Sequence, residues 1–287
     1  MSGIVIVTDS CASIPETLLE QLNIRTVAYY IHRGQDVLRD LVTVQRDELL
    51  RWLPLAKTLP VTACPGPGDY FQMYQKLILD GFEEILSIHI TSRGSAAFQA
   101  AEVAKSMAIS QYPNIHIEVV DTLNVSLCQG WMAIESARAA LAGRGLDDIL
   151  TLLRAMIPVT HMIQTADTLR YLYLGGRIGM AKRLMGSVLN IKPLIGMKDG
   201  VVTALGMAHS RLQAYNQMAE YIIENAGQMP VKVAYVHAGA LDEALKLKKI
   251  VEGKLNVVES LIAELSPALA VHTGPGTTGL CFFPVGG

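Results

Sequence analysis

The chain contains 287 residues, 51% of them apolar and only 17% charged, which favours two domains with substantial cores. The formal net charge of −2 argues against a general nucleic-acid-binding protein, because phosphate contacts depend on clustered lysine and arginine. No apolar run approaches the ~20 residues of a membrane-spanning helix, so we expect neither a nucleic-acid partner nor stable membrane insertion.

The N-terminal sequence and the cysteines bear on the cellular compartment. The apolar run before Thr8 is short and lacks the basic stretch and cleavage site of a secretory signal. Cys11, Cys64, Cys128 and Cys281 stand far apart, without the close pairs that zinc or a dithiol centre uses. We therefore expect a cytoplasmic protein with free thiols and no metal.

In the first half of the chain, short β-branched runs alternate with longer helical patterns. This alternation predicts a parallel sheet covered by helices, and thus an α/β fold. Residues 4–7 are typical of a buried strand, and Ser13 with Glu16 predicts a capping box that opens the next helix. Residues 85–90 and 115–121 predict two further strands.

Polar loops directly follow these three strands, at residues 8–13, 91–95 and 121–126. Because the carboxyl ends of parallel strands meet at one edge of a sheet, we expect the loops to gather there. Open α/β sheets bind their ligands at that edge.

The pattern then predicts a boundary between two domains. A long helix ends near Gly143, and a second helix over residues 146–156 stops before Pro158. We therefore predict two α/β domains, residues 1–157 and 158–287.

The second domain is expected to contain a sheet with helices on at least one side. Its predicted elements are strands at residues 162–166, 231–236 and 258–265, a helix at residues 241–251, and a hairpin over residues 192–203 whose Asp199-Gly200 pair suits a tight turn.

Two glycine-containing loops offer hydroxyl groups to a ligand. The segment 61–69 cannot be helical and presents Thr62, which is as typical of a turn as of an anion site; Asp69 is expected to cap a helix from Tyr70. The loop 91–95 opens a helix, where free N–H groups and the helix dipole favour a carboxylate or phosphate.

Arg177 and His272 are further candidates. Gly175 and Gly176 permit a turn that aims the Arg177 guanidinium, a group that is usually solvated but suits a carboxylate or a protein partner. His272 is expected at a strand end before a glycine-rich turn, where a lone histidine is more often structural than ligand-binding. No loop matches a Walker lysine loop, a dinucleotide fingerprint or a nucleophile elbow, so the residues predict an anion site without catalytic machinery.

Seven segments, taken in order, resemble the DegV family over essentially the whole chain. They are Thr8-Asp9-Ser10 with Pro15, Thr62 with Pro65-Gly66-Pro67-Gly68, Ser92 to Gln99, Val120-Asp121-Thr122 with Gln129-Gly130, Leu172 with Gly175-Gly176-Arg177-Ile178, Leu189-Asn190-Ile191-Lys192-Pro193, and His272-Thr273-Gly274-Pro275-Gly276-Thr277-Thr278-Gly279. Each is weak alone, whereas seven in register are specific.

The resemblance implies a two-domain α/β fold, with a parallel-sheet N-terminal domain, a second α/β domain and a long-chain fatty acid bound between them. Its carboxylate would be held by the hydroxyls of Thr62 and Ser95, with Ser92 as the alternative, and its tail would lie in an apolar tunnel. His272 would be a nearby polar partner, and Arg177 would support the site or a kinase contact. Bacterial members present the bound acid to a separate kinase that makes an acyl phosphate, which implies a non-catalytic subunit without a cofactor.

The chain departs from the family pattern in two places. Ala63, Cys64 and Gly66 stand where the family usually has Ser, Gln and Ser, and the run beginning at Gly94 differs from a Leu-Ser-Gly-Thr-Tyr-like sequence. Two alternatives to a fatty acid carrier stay open. One is a binding protein for another hydrophobic metabolite, and the other is a small-polyol-binding subunit similar to the dihydroxyacetone-binding half of a sugar kinase.

Overall fold

The structure is a computed structural model that describes residues 3–185 and 191–286. Within these residues the strands are β1 (Ile4–Asp9), β2 (Arg25–Val27), β3 (Tyr30–Arg33), β4 (Asp36–Arg39), β5 (Val61–Ala63), β6 (Glu84–His89), β7 (His116–Asp121), β8 (His161–Thr165), β9 (Lys192–Lys198), β10 (Val201–Ala208), β11 (Val231–His237), β12 (Val257–Glu264) and β13 (Thr278–Pro284). The α-helices are α1 (Glu16–Gln21), α2 (Arg46–Trp52), α3 (Pro67–Leu79), α4 (Ala97–Gln111), α5 (Leu127–Leu141), α6 (Leu146–Met156), α7 (Arg170–Leu174), α8 (Arg211–Ala226), α9 (Leu241–Glu252) and α10 (Pro267–Thr273).

The first sheet is parallel and has the strand order β2-β1-β6-β7. Helix α5 packs against β1, α4 against β7 and α3 against β2, so Val7, Leu86 and Ile117 are fully buried. Strands buried on both faces need largely apolar, β-branched sequence, and the central strands β1 and β6 have it. The edge strand β2, of which only Val27 is buried, was not predicted. The predicted parallel sheet and α/β fold class are confirmed.

A small antiparallel sheet of β4, β3 and β5 was not predicted. Its strands are three or four residues long, too short for a recognisable alternation of apolar and polar positions. Thr62 lies in β5 and pairs with Ile31 of β3. The sequence prediction of an irregular loop around Thr62 is therefore wrong, because pairing with a distant strand makes this segment extended.

Helix α3 begins earlier than predicted, at Pro67 rather than Tyr70. Proline is favoured in the first turn of a helix, where its missing N–H is not needed. The Asp69 carboxylate accepts a hydrogen bond from Gly66 N–H at 2.8 Å. Asp69 thus caps the helix as expected, but from inside its first turn.

The second sheet has six strands in the order β10-β9-β8-β13-β11-β12, and its helices include α8 and α9. Only β11 and β12 are parallel; the other neighbours are antiparallel. The hairpin of β9 and β10 turns at Asp199 and Gly200, both with positive φ, as a two-residue hairpin turn requires. The predicted hairpin and the predicted strands at residues 162–166, 231–236 and 258–265 are confirmed.

The predicted capping box at Ser13 is wrong. Helix α1 starts at Glu16 behind Pro15, with no side-chain cap, and Ser13 has a left-handed φ of 52°. The Ser13 hydroxyl instead accepts a hydrogen bond from the N–H of Ser266 at 3.0 Å. Ser13 therefore makes a hydrogen bond to a residue more than 250 positions away in place of the predicted bond within its own helix start.

His272 lies in the last turn of helix α10, not at a strand end as predicted. The helix start is marked by Ser266, whose hydroxyl accepts from Leu269 N–H, and by Pro267 in the first turn. The run of small and β-branched residues after Pro267 resembled a strand because the helix is only seven residues long.

The two larger sheets share a continuous apolar core. Phe283 of β13 packs edge-on against Trp131 of α5, with ring centroids 5.7 Å apart. At the rim of this contact Arg138 donates two hydrogen bonds to Glu259, at 2.8 and 2.6 Å. The predicted boundary after residue 157 falls in the short turn between α6 and β8 and stays a prediction.

In the part of the chain that the structure describes, no helix is long and apolar enough to cross a membrane. Leu189 and Asn190, which belong to one of the seven family-like segments, lie outside the described residues.

Candidate functional site

A cavity of about 450 Å³ lies between the two larger sheets, and we call it the inter-sheet cavity. Its wall is formed by the loop after β6, by β5, by the β9–β10 hairpin and by helices α7 and α10. Much of the lining is apolar and includes Ile90, Val125, Met162, Leu172, Met197 and Leu269. The volume is typical of a pocket for a small organic ligand, for which about 300–1,000 Å³ is usual.

The three predicted loops do gather at the carboxyl edge of the first sheet. The Asp9 carboxylate accepts from the N–H of Ile90 at 3.3 Å, and Thr91 N–H donates to the Asn124 carbonyl at 2.9 Å. Asp121 accepts from Ser92 N–H at 3.2 Å. These bonds position the start of the loop 91–95 at the cavity wall.

Ser95 lines the cavity, whereas Ser92 is absent from its wall. The Ser95 hydroxyl lies 2.5 Å from the Tyr29 hydroxyl and accepts from the N–H of Ala97, the first residue of α4. The start of α4 adds the positive end of a helix dipole near this hydroxyl. Of the two predicted serines, the structure brings only Ser95 to the cavity.

Thr62 and His272 meet at the cavity although they are 210 positions apart in the chain. Thr62 Oγ1 lies 2.7 Å from His272 Nε2. Burial, and to a lesser degree the positive charge of Arg177, lowers the pKa of His272 from 6.5 to about 4. At neutral pH the imidazole is therefore uncharged and has one N–H to donate.

The arrangement leaves polar atoms at the cavity without protein partners. Among the described residues, His272 Nδ1 and Thr273 Oγ1 have no hydrogen-bond partner although both are buried. Buried polar atoms in proteins are nearly always paired, so these two atoms are exceptions to that rule.

Arg177 lines the cavity from an exposed position after α7. Its guanidinium donates to the Gly175 carbonyl at 2.8 Å and makes no ion pair with any carboxylate among residues 3–185 and 191–286. Gly175 is required there, because a Cβ would lie 2.3 Å from His272 Nδ1. The turn thus brings Arg177 and His272 together.

The charges of the cavity are all of one sign. The lining residues that the structure describes include two arginines, Arg93 and Arg177, and no aspartate or glutamate. With a neutral His272, the wall presents positive charge and hydroxyl donors beside an apolar space. This combination suits an amphipathic anion.

Tyr29 is the cavity residue that sequence reasoning missed. Tyr29 is buried, and burial raises the pKa of its hydroxyl, with smaller contributions from Cys11 and Asp9. The hydroxyl therefore stays protonated and can donate to Ser95. No local sequence pattern distinguishes Tyr29 from its neighbour Tyr30. Only the fold shows that Tyr29 reaches Ser95 at the cavity, whereas Tyr30 donates to Asp69.

Ser87, His89 and Asp9 form a series of hydrogen bonds that resembles the Ser-His-Asp triad of serine hydrolases. Ser87 Oγ lies 2.7 Å from His89 Nε2, and His89 Nδ1 lies 3.2 Å from the Asp9 carboxylate. All three side chains are fully buried and none lines the inter-sheet cavity. Ser87 also accepts a hydrogen bond from Tyr74, so this series fits a structural role inside the sheet.

Residues 3–185 and 191–286 contain no cluster of histidine, cysteine, aspartate or glutamate that could hold a metal ion. The cysteines Cys11, Cys64, Cys128 and Cys281 are free thiols, as predicted.

Known proteins match this chain over nearly its full length. A DegV domain-containing protein of Streptomyces coelicolor is 30% identical over 279 residues, covering 96% of this chain and 97% of its own. A solved structure described as fatty acid binding of a DegV family protein from Thermus thermophilus has 29% identity and a TM-score of 0.91, and covers 99% of this chain and 100% of its own.

Two further solved structures are described by their ligands. A stearic acid-binding protein from Eubacterium ventriosum shares 26% identity and a TM-score of 0.90, covering 99% and 98% of the two chains. DegV of Bacillus subtilis, described as a fatty acid binding protein, shares 26% identity and a TM-score of 0.88, covering 99% and 100%. The family described as "Uncharacterised protein, DegV family" matches residues 3–285, and the chain belongs to this DegV family.

Proposed function

We propose that this protein is a non-catalytic, cytoplasmic carrier that binds one long-chain fatty acid in the inter-sheet cavity. The carboxylate would lie at Thr62 and Ser95, and the hydrocarbon tail would occupy the apolar part of the cavity. The observation that carries the proposal is the meeting of two hydroxyls, a neutral histidine and an exposed arginine at one apolar cavity. The ligands named for the similar structures support it.

The hydrogen-bond network leaves both hydroxyls free to donate to an anion. If His272 carries its proton on Nε2, it donates to Thr62 Oγ1, and the Thr62 hydroxyl hydrogen is available to the carboxylate. In the same way Tyr29 can donate to Ser95, whose own hydrogen then points to the ligand. In this arrangement His272 donates to the Thr62 hydroxyl and Tyr29 donates to the Ser95 hydroxyl, and each donor orients the hydroxyl that it contacts.

The tail supplies most of the binding free energy in this proposal. Each methylene removed from water contributes about 0.8 kcal/mol, so ~16 carbons correspond to roughly 12 kcal/mol before the costs of association. The hydroxyls and Arg177 contribute less and mainly orient the acid. We therefore expect chain length to affect affinity more strongly than any single polar substitution.

We further propose that a separate kinase phosphorylates the bound acid. The support is Arg177, which is exposed, lies at the cavity and is free of ion pairs with described carboxylates, so it is available to a phosphate or a partner protein. Pull-down with a candidate fatty acid kinase, followed by an assay of acyl phosphate formation, tests this step. Equal activity with Arg177→Ala would contradict the role given to Arg177.

The binding proposal is tested by extraction with organic solvent and mass spectrometry of the purified protein. We expect a co-purified fatty acid, and binding of added palmitate by the delipidated protein. An empty extract together with no uptake of palmitate or oleate would refute the proposal. Tight binding of dihydroxyacetone instead would favour the small-polyol alternative.

Substitutions at the hydroxyls test the head-group site. Thr62→Val and Ser95→Ala should each weaken palmitate binding about tenfold, the lower end of the effect expected for a hydrogen bond to a charged group. Ser92→Ala is the matched control, because Ser92 lies in the same loop as Ser95 but not at the cavity. If Thr62→Val and Ser95→Ala lower the melting temperature while binding is unchanged, the two hydroxyls are structural.

A further inference from the structure

The β9–β10 hairpin forms one wall of the inter-sheet cavity. Met197, Gly200, Val201 and Val202 of the hairpin all line the cavity. The hairpin belongs to the second sheet, and it faces the loop of the first sheet that carries Ser95. Its position relative to that loop therefore decides how closely the cavity encloses a ligand.

A buried residue in the loop after β6 connects the hairpin to the segment that carries Ser95. The Thr91 hydroxyl donates to the Gly200 carbonyl across the cavity edge at 2.9 Å, and Thr91 is only 1% exposed. The Thr91 carbonyl accepts from the N–H groups of Gly94 and Ser95, at 3.1 and 3.2 Å. Thr91 therefore ties the loop that positions Ser95 to the tip of the hairpin.

The hairpin can approach Thr91 this closely only because residue 200 is glycine. A Cβ at position 200 would lie 2.6 Å from the Thr91 Oγ1 and 3.1 Å from Arg93 Cδ. The φ of +78° at Gly200 also disfavours any residue with a side chain. Two independent features of the structure therefore require glycine at this contact.

We propose that Thr91 and Gly200 are positioning residues that hold the hairpin wall against the Ser95 loop and thereby slow the release of the bound lipid. This inference rests on the proposed function. Neither residue needs to touch the carboxylate. Thr91 acts through its bond to the hairpin, and Gly200 acts by allowing the close approach.

The test compares the release of a bound fluorescent fatty acid from the full chain and from single variants. Thr91→Val keeps the shape of threonine but removes the hydroxyl, and should release the lipid about five- to tenfold faster, the factor expected for one neutral hydrogen bond. Thr91→Ser restores the hydroxyl and should restore slow release. Gly200→Ala should also speed release, because the hairpin must move away from Thr91.

Gly34→Ala is the matched control for Gly200→Ala. Gly34 lies in the turn between β3 and β4 and has a φ of +64°, but a Cβ there meets no atom within 4 Å. This variant carries a similar cost of left-handed backbone without touching the cavity. Its release rate should equal that of the unmodified protein.

Hydrogen–deuterium exchange of residues 197–203 in the lipid-free protein gives a second measurement that does not depend on binding. Exchange in this segment should rise in Thr91→Val and return to its original level in Thr91→Ser. Unchanged release and unchanged exchange in Thr91→Val and Gly200→Ala would overturn the inference. A lack of lipid uptake by the unmodified protein would instead overturn the proposed function, while the exchange result would still judge the Thr91–Gly200 contact.

Discussion

Replacing His272 by glutamine should remove a pH dependence of stability that originates at the cavity. The pKa of His272 falls from 6.5 to about 4 on folding, mainly through burial. As the pH falls below 6.5 the unfolded chain takes up a proton that the folded protein refuses, so folding loses stability until the pH reaches about 4. At about 1.4 kcal/mol for each pKa unit, the loss between pH 7 and 4.5 is about 2–3 kcal/mol.

Urea unfolding of the delipidated protein at pH 7 and pH 4.5 measures this contribution. The decrease in unfolding free energy should be about 2–3 kcal/mol larger in the unmodified protein than in His272→Gln. Other titrating groups are present in both proteins and cancel in the difference. His209→Gln, which replaces an exposed histidine outside the cavity, should retain the full pH dependence. An equal decrease in the unmodified protein and in His272→Gln would refute the reasoning.

Three further substitutions test other parts of the fold. Burial raises the pKa of Asp40 to about 6, so ionisation of this carboxyl opposes folding as the pH rises from 4 to 7. Asp40→Asn should remove a loss of about 2–3 kcal/mol over this range, measured by urea unfolding. Lys232 pairs with Glu135 and Glu259 at 2.8 and 2.9 Å, and Lys232→Met, which leaves both carboxylates with one partner fewer, should lower the unfolding free energy by about 1–3 kcal/mol. Gly130→Ala would place a Cβ 2.8 Å from a backbone carbonyl, and should lower the melting temperature by several degrees, as expected for about 1–3 kcal/mol of overpacking. An unchanged pH dependence in Asp40→Asn would contradict the role given to this carboxyl. Unchanged stability in Lys232→Met or Gly130→Ala would contradict the contact on which that prediction rests.

His272 and Asp40 act on opposite ends of α10 with opposite pH dependence. The Asp40 carboxylate accepts from Ala268 N–H at the start of the helix, and His272 lies in its last turn. Acid removes stability through His272 but adds it through Asp40. The two contributions offset each other in the unmodified protein, so its own change in stability with pH is smaller than either contribution. The difference between the unmodified protein and a single variant isolates one of them.

The first sheet could be predicted because its signals are local. The runs of β1, β6 and β7 end in polar residues, and parallel pairing then requires those ends to meet. The edge strand β2, of which only Val27 is buried, lacks such a signal and was not predicted. The Asp199-Gly200 turn was equally clear, since a two-residue hairpin turn favours this pair. In both cases the residues that decide the structure are neighbours in the chain.

The site could be predicted only in part, because its contacts join distant segments. Nothing near Thr62 in the sequence indicates that it pairs with His272, and Tyr29 gives no local sign that it supports Ser95. The choice between Ser92 and Ser95 likewise depends on the direction of a side chain within one loop. The capping box predicted at Ser13 was wrong for the same reason, because the hydrogen-bond partner of Ser13 is Ser266, in the second half of the chain.

The order of strands in the second sheet has a consequence for synthesis on the ribosome. Strand β13 lies in the middle of the sheet, between β8 and β11, although it follows all the other strands in sequence. Until Thr278–Pro284 leaves the exit tunnel, the strands before it form two separate pieces with unpaired edges. The second sheet therefore becomes continuous only in a late step, when β13 joins the two pieces.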